Sequence, residues 1–284
     1  MKQLLWLLML LPLLAEAEGP VWKIFHNDRL TGYLAGTMHV VKPEDYPLPG
    51  AFEKAYQQAE VLVFETDLYA MQDEEFARRL QAKGLYPQGQ TLQDKLQPEV
   101  YRQLADYAKR RGFSLESIQQ MKAGLLVANI TIHELARLGV SATGVDLFFL
   151  QKAMIDQKPV YSLETLNEQI RLVVDMGEGQ ESRLIQQTLD ELALLGEQVD
   201  ELRKAWRSGD LDSLQTLWLD ELQKQSPDIY DQVLTERNRK WLPALLDELE
   251  QERITLILVG AAHLPGKKGL LTLLSEAGFK VKQF

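Results

Sequence analysis

The chain has 284 residues, with 31 Lys and Arg against 41 Asp and Glu, a formal charge of −10 and no cysteine. The acidic balance argues against nucleic acid, which needs a basic surface, and against electrostatic binding to anionic lipid. Without cysteine there are no disulfides, no thiolate metal sites and no cysteine nucleophiles.

Met1-Lys2 supplies a positive start, Leu4 to Leu14 is almost entirely apolar, and Ala15-Glu16-Ala17 is a small-x-small cleavage site. This pattern predicts a secretory signal peptide over residues 1–17. The apolar stretch is roughly eleven residues, short for a bilayer span, and no later segment is long and apolar enough. The chain is expected to be periplasmic or secreted, with no stable membrane insertion after cleavage. A cysteine-free exported chain fits the bacterial periplasm.

Residues 18–284 are expected to form a single α/β domain. Val21-Trp22-Lys23-Ile24-Phe25 alternates as a strand does, Asn27-Asp28 signals a turn, and Gly32 to Thr37 returns as a second strand, so a hairpin is predicted. Pro43, Pro47 and Pro49 punctuate a loop, and 52–59 has helical spacing. Residues 60–66 form a strongly apolar run, a predicted central strand. From about 72 to 150 the pattern is mostly helical, with one apolar helix over 121–138 that carries His133 and ends at Gly139. Lys158-Pro159 opens a strand over 159–163. A long helical stretch follows over 164–251. Strands at 254–260 and 279–283 close the chain around a helix at 266–277. The expected fold class is α/β, a mixed central sheet with flanking helices and a large helical insertion.

Two of the four histidines share one tetrapeptide pattern, Gly-x-x-His: Gly36-Thr37-Met38-His39 and Gly260-Ala261-Ala262-His263. Chance supplies roughly a quarter of one such match in this composition, so two are a signal. Each closes a buried-strand run. Glycine permits close backbone approach there, and the imidazole is delivered to the rim of the sheet.

A catalytic metal takes three protein ligands and leaves one position for water. His39 and His263 offer two. Glu65 closes Val61-Leu62-Val63-Phe64 as each His closes its own run, so it is the expected third; Asp67 is the fallback. In open α/β sheets the ligand crevice lies beyond the carboxyl ends of the strands, where these groups would converge. Glu164 also stands at a strand end. It reads first as a charge near a helix start and, if it faces the crevice, as general base for a metal-bound water. Arg237, within a helix, would steady an oxyanion. His133 reads as a satisfied, partly buried helix residue, and His26 as exposed at a turn. There is no His-Glu-x-x-His, Gly-x-Ser-x-Gly, phosphate loop or Gly-x-Gly-x-x-Gly.

Taken in order, Trp22-Lys23-Ile24, Tyr33 through His39, Tyr46-Pro47-Leu48-Pro49, Phe64-Glu65-Thr66-Asp67, Gly144-Val145-Asp146, Lys158-Pro159-Val160, Leu163-Glu164-Thr165, Glu236-Arg237-Asn238 and Val259 through Gly266 resemble the TraB/GumN family along the whole mature chain. The family is similar to the animal TIKI proteins, metal-dependent proteases acting on secreted signalling proteins. It is also similar to the erythromycin-esterase and ChaN-like folds. The resemblance implies an α/β core with helical insertions. It implies that His39, His263 and Glu65 carry the activity with manganese or cobalt, and that Glu164 and Arg237 fall on further motif positions.

The expected function is therefore an exported metal-dependent hydrolase, a peptidase by analogy, using Mn, Co or Zn on a peptide or small-molecule substrate. The rival is a non-catalytic binding protein that sequesters a peptide or a haem-like ligand, with Trp206, Trp218 and Trp241 supplying an apolar wall.

Overall fold

In the computed structural model, residues 19–39, 41–140 and 144–284 are described; the expected signal peptide lies outside them. Six strands form one sheet: β1 (Val21–His26), β2 (Arg29–Thr37), β3 (Val61–Thr66), β4 (Val160–Glu164), β5 (Thr255–Gly260) and β6 (Lys280–Gln283), in the spatial order β4-β3-β5-β2-β1-β6. The mixed α/β sheet expected from the alternation of runs is what forms.

The β1–β2 hairpin turns on Asn27 and Asp28, whose φ values of 50° and 60° are left-handed. Two successive residues of that kind match the right-handed twist of the flanking strands, and Asn and Asp tolerate the conformation best after glycine. β2, β5, β3 and β4 run parallel, whereas β1 and β6 are antiparallel additions at one edge. All four parallel strands therefore end on the same side of the molecule.

The central strands β3 and β5 are buried at every position. That is why their sequences are continuous apolar runs, since a parallel strand covered on both faces has no solvent side to keep polar. Alternate residues feed two cores. Tyr33, Ala35, Leu62, Phe64 and Leu258 pack with Phe52, Phe149 and Trp206. Leu34, Val63, Ile257 and Val259 pack on the other face with Trp241, Leu245 and Leu270. The helical insertion has its own core around Leu92, Leu104, Leu126 and Ile185.

Several local expectations are corrected. The helix read over 121–138 runs Ala123–Arg137, and Gly139 stops it at φ +77°. His133 is exposed, because Glu134 is the residue that turns inward, taking hydrogen bonds from Tyr107, Arg111 and Arg137. His26 is half-buried, with its ring 4.6 Å from that of Phe279 on the strand end that folds back beside it. Of the three tryptophans expected to wall a pocket, Trp206 and Trp241 are core and Trp218 is exposed. Among the described residues no helix is long and apolar enough to cross a membrane.

Candidate functional site

The carboxyl ends of the parallel strands carry the polar residues that the sequence singles out. Glu65 is the fifth residue of β3 and Glu164 the last of β4; His39 lies just beyond β2, and His263 just beyond β5. Thr37 is in register with Gly260, so the two Gly-x-x-His segments are side by side. They touch: a Cβ on Gly36 would stand 3.2 Å from both Cα and Cβ of Ala261. Glycine suits that approach, since a Cβ would crowd the neighbouring segment by a few tenths of an ångström. Trp206 reinforces it by donating its indole N–H to the Gly36 carbonyl at 2.8 Å.

Gly260 marks the point of convergence. A Cβ there would lie 3.2 Å from Glu65 Oε1, 3.5 Å from His39 Nε2 and 3.7 Å from His263 Cδ2. The missing side chain leaves the space on which the two imidazoles and the carboxylate close. The grouping of His39, His263 and Glu65 is thus present, and fold, not sequence proximity, produces it.

Each ring is fixed by a partner on its Nδ1. His39 Nδ1 meets Asp146 Oδ2 at 2.9 Å, and Asp146 Oδ1 accepts from the Thr37 hydroxyl at 2.7 Å. Asp146 is buried in the first turn of the Val145–Ile155 helix, where the helix dipole favours negative charge. The Val145 N–H donates to Met38 O, and a Cβ on Gly144 would collide with the His39 carbonyl at 2.3 Å. Gly144 therefore lets the helix start against the His39 backbone. The His39 side chain is 63% exposed, and the Asp146 carboxylate holds its pKa above the ordinary value for a histidine.

His263 is built the other way. It is buried, and its ring centroid lies 4.4 Å from that of Trp241. Asn238 Nδ2 donates to the carbonyls of His263 and Lys268, so Asn238 Oδ1 must be the acceptor facing His263 Nδ1 at 2.6 Å. The hydrogen therefore sits on Nδ1, and the Nε2 lone pair points inward, where Arg237 Nη1 approaches to 3.1 Å. Burial pushes the His263 pKa down to about 3 against the pull of Glu65, with Arg237 and His39 adding to the depression.

Arg237 ties the acidic groups together. Its Nη2 donates to Glu65 Oε2 at 2.6 Å and to Glu164 Oε2 at 3.2 Å, and its Nε to Glu164 Oε1 at 2.9 Å. A π-helical turn, Asp231–Thr235, directly precedes it, and the Val233 carbonyl accepts from Nη1 at 3.3 Å. Such wide turns shift the side-chain register of a helix and recur at functional sites. Burial opposes the charge on Glu65, but His263, Arg237, His39 and the Gly260 N–H outweigh it and hold the carboxyl at about 2.

Glu164 lies inside the site and does not cap the next helix. Thr165 and Glu168 form that cap between them. Both Glu164 oxygens are engaged: Oε1 also accepts from the Trp241 indole at 2.8 Å, and Oε2 from Gln169. Asp67 is exposed and caps the following turn by accepting from the Ala70 N–H at 3.0 Å. A cleft of about 200 Å³ opens on the Glu164 and Arg237 side, lined also by Arg171, Gln232 and Lys240.

The donors suit a divalent ion in kind: two imidazole Nε2 atoms and one carboxylate, each with its second polar atom already bonded elsewhere, as ligand-orienting partners require. Among the described residues, no group of three or more His, Asp or Glu is already arranged to hold a metal ion. The Arg237 guanidinium is bonded to both Glu65 and His263. Asp146 and Asn238 were not assigned roles from sequence. Both lie in segments that carry the family resemblance, but their pairing with the two rings is not legible there, because partners on separate elements carry no spacing.

The sequence model of the TraB/PrgY/gumN family aligns with residues 20–283. The chain is 25% identical over 252 residues to the uncharacterized protein YbaP of Escherichia coli strain K12, covering 84% of this chain and 85% of that one. The YbaP protein of Shigella flexneri matches to the same extent. No solved structure matches. With the alignment running from the start of β1 to the end of β6 and including every residue of the site, this chain belongs to the TraB/PrgY/gumN family.

Proposed function

We propose that this chain is an exported metal-dependent hydrolase acting on peptides, with His39, His263 and Glu65 as the metal ligands. The observation that carries the reading is the convergence of His39 Nε2, the His263 ring and Glu65 Oε1 on the gap left by Gly260. When bound, a divalent ion at such a site lowers the pKa of its water and polarises a substrate carbonyl.

The chain's own residues have separable tasks. Asp146 orients His39, and Asn238 fixes the His263 tautomer with Nε2 facing inward. Glu164, Trp241 and Gln169 form the seat on which Arg237 rests. Arg237 donors aimed at the site would stabilise the oxygen that gains charge as a carbonyl is attacked. Glu164, beside the cleft, would accept the proton through Oε2, an oxygen that Arg237 Nη2 and Gln169 also reach.

The test is a metal-by-metal peptide-library screen on the chelated and reloaded protein, with His39→Ala/His263→Ala as control. Cleavage with Mn²⁺, Co²⁺ or Zn²⁺ that the double variant loses together with its bound metal supports the reading. Unchanged metal content in the double variant overturns the ligand assignment. A Soret absorption band in protein purified from its own host would favour a haem-binding role instead.

A further inference from the structure

Arg237 forms hydrogen bonds to two of the three groups assigned above as metal ligands. Nη2 takes Glu65 Oε2 at 2.6 Å, and Nη1 takes the lone pair of His263 Nε2 at 3.1 Å. A lone pair that accepts a hydrogen bond is not available to a metal at the same moment. The guanidinium also supplies the positive charge that two buried carboxylates need, since a buried carboxylate without a counter-charge is strongly disfavoured. It has somewhere to retreat: Nε and Nη2 already fork onto Glu164, whose position is held by Trp241 and Gln169. The Arg237 guanidinium also lies over the Trp241 ring, 4.6 Å from its centroid.

We propose that Arg237 is a built-in placeholder for the metal cation: it holds Glu65 and His263 in position when no ion is bound and withdraws onto Glu164 when one arrives. This rests on the metal-site reading above. The fold thereby keeps its ligands charge-balanced and ordered without an ion, and every ion that binds does so in competition with the guanidinium. The apparent metal affinity is set by that competition as well as by the ligands. Arg237 Nη1, released from His263, would then be available to a substrate oxygen.

The experiment is an equilibrium titration of chelated full-length mature protein with Mn²⁺ and with Zn²⁺ against a fluorescent chelator. It compares the native chain, Arg237→Gln and Arg237→Lys, with each variant's fold checked by circular dichroism. Arg237→Gln removes charge and fork together and is expected to bind about tenfold tighter or more. Arg237→Lys keeps the charge but replaces the planar fork with a point donor that cannot span Glu65, Glu164 and His263 together; it is expected to fall between Arg237→Gln and the native chain. If Arg237→Gln does not fold, the comparison of Arg237→Lys with the native chain decides. Equal affinity for Arg237→Lys and the native chain overturns the placeholder, leaving only a long-range charge effect. Weaker binding in either variant overturns it too, with the ligand assignment intact. Failure of all three proteins to bind either metal removes the ligand assignment, and the placeholder with it.

Discussion

The two Gly-x-x-His segments lie on neighbouring parallel strands in matched register, yet they deliver different imidazoles. His39 is open to solvent and faces a carboxylate, Asp146, which favours its protonated form. His263 is buried beneath Trp241 and faces an amide, Asn238, so burial keeps it neutral. An identical motif fixes where a ring is placed, whereas the residue behind the ring decides its charge. A site with one permanently neutral imidazole and one that gains a proton on acidification has a single histidine switch, at His39.

The comparison can be broken hardest at Gly260. Gly260→Ala puts a methyl group 3.2 Å from Glu65 Oε1 and 3.5 Å from His39 Nε2. We expect metal-stimulated hydrolysis to fall to background while the melting temperature drops by only a few degrees. Full activity in this variant would show that the shared gap is not where the groups meet.

Removing the rings separately should expose their different burial. His263→Ala opens a cavity under Trp241 and strands Asn238 Oδ1, at about 2–4 kcal/mol of stability. His39→Ala removes a mostly exposed ring but strands the buried Asp146 carboxylate, so it should cost less than His263→Ala only at a pH above the His39 titration, where the imidazolium–carboxylate attraction is already lost. Urea denaturation of the two variants at such a pH checks the order, and equal midpoints would contradict it.

The pH response follows from the two pKa directions. His39, raised by Asp146, contributes stability that is fully present below the ordinary histidine pKa and lost as pH rises through its elevated folded value. A ligand must be deprotonated, so apparent metal affinity should rise with pH over the same interval. His263, depressed to about 3, stays neutral in the fold over this interval; because only the unfolded chain protonates it, it lowers stability as pH falls below the ordinary histidine pKa. Imidazole NMR should show the His39 ring titrating above pH 6.5 and the His263 ring unchanged from pH 5 to 9. Titration of both rings together would show that burial does not separate them.

Asp146→Asn makes the partner of His39 resemble that of His263. It should move the His39 titration toward lower pH and reduce activity about 10- to 100-fold, as loss of a ligand-orienting partner generally does. The smallest effect on turnover is expected from Trp206→Phe, which removes the hydrogen bond to the Gly36 carbonyl and part of a fully buried ring, at about 2–4 kcal/mol of stability.

Much of the frame was legible in the sequence for a simple reason. β3 and β5 are covered on both faces, so their residues had to be an unbroken apolar run, and such a run is visible without coordinates. The Asn27-Asp28 turn was legible because its backbone conformation selects those residue types. Legibility failed at Glu164, whose neighbourhood in sequence suggests a helix start but whose side chain is claimed by Arg237, Trp241 and Gln169. It failed at His133 too: its apolar neighbours Ile130 and Ile132 suggested an inward ring, but Ile130 is buried and Ile132, like His133, is exposed.

By itself the sequence determined the strand set and the residues placed at the strand ends, because periodicity, glycine positions and apolar runs are local constraints on the backbone. Only the tertiary structure decided which groups meet at Gly260, which imidazole is charged, and that Arg237 stands among its acidic neighbours. Those outcomes depend on distance and burial between segments far apart in the chain. Coulombic attraction and desolvation act through space, and no local pattern records them.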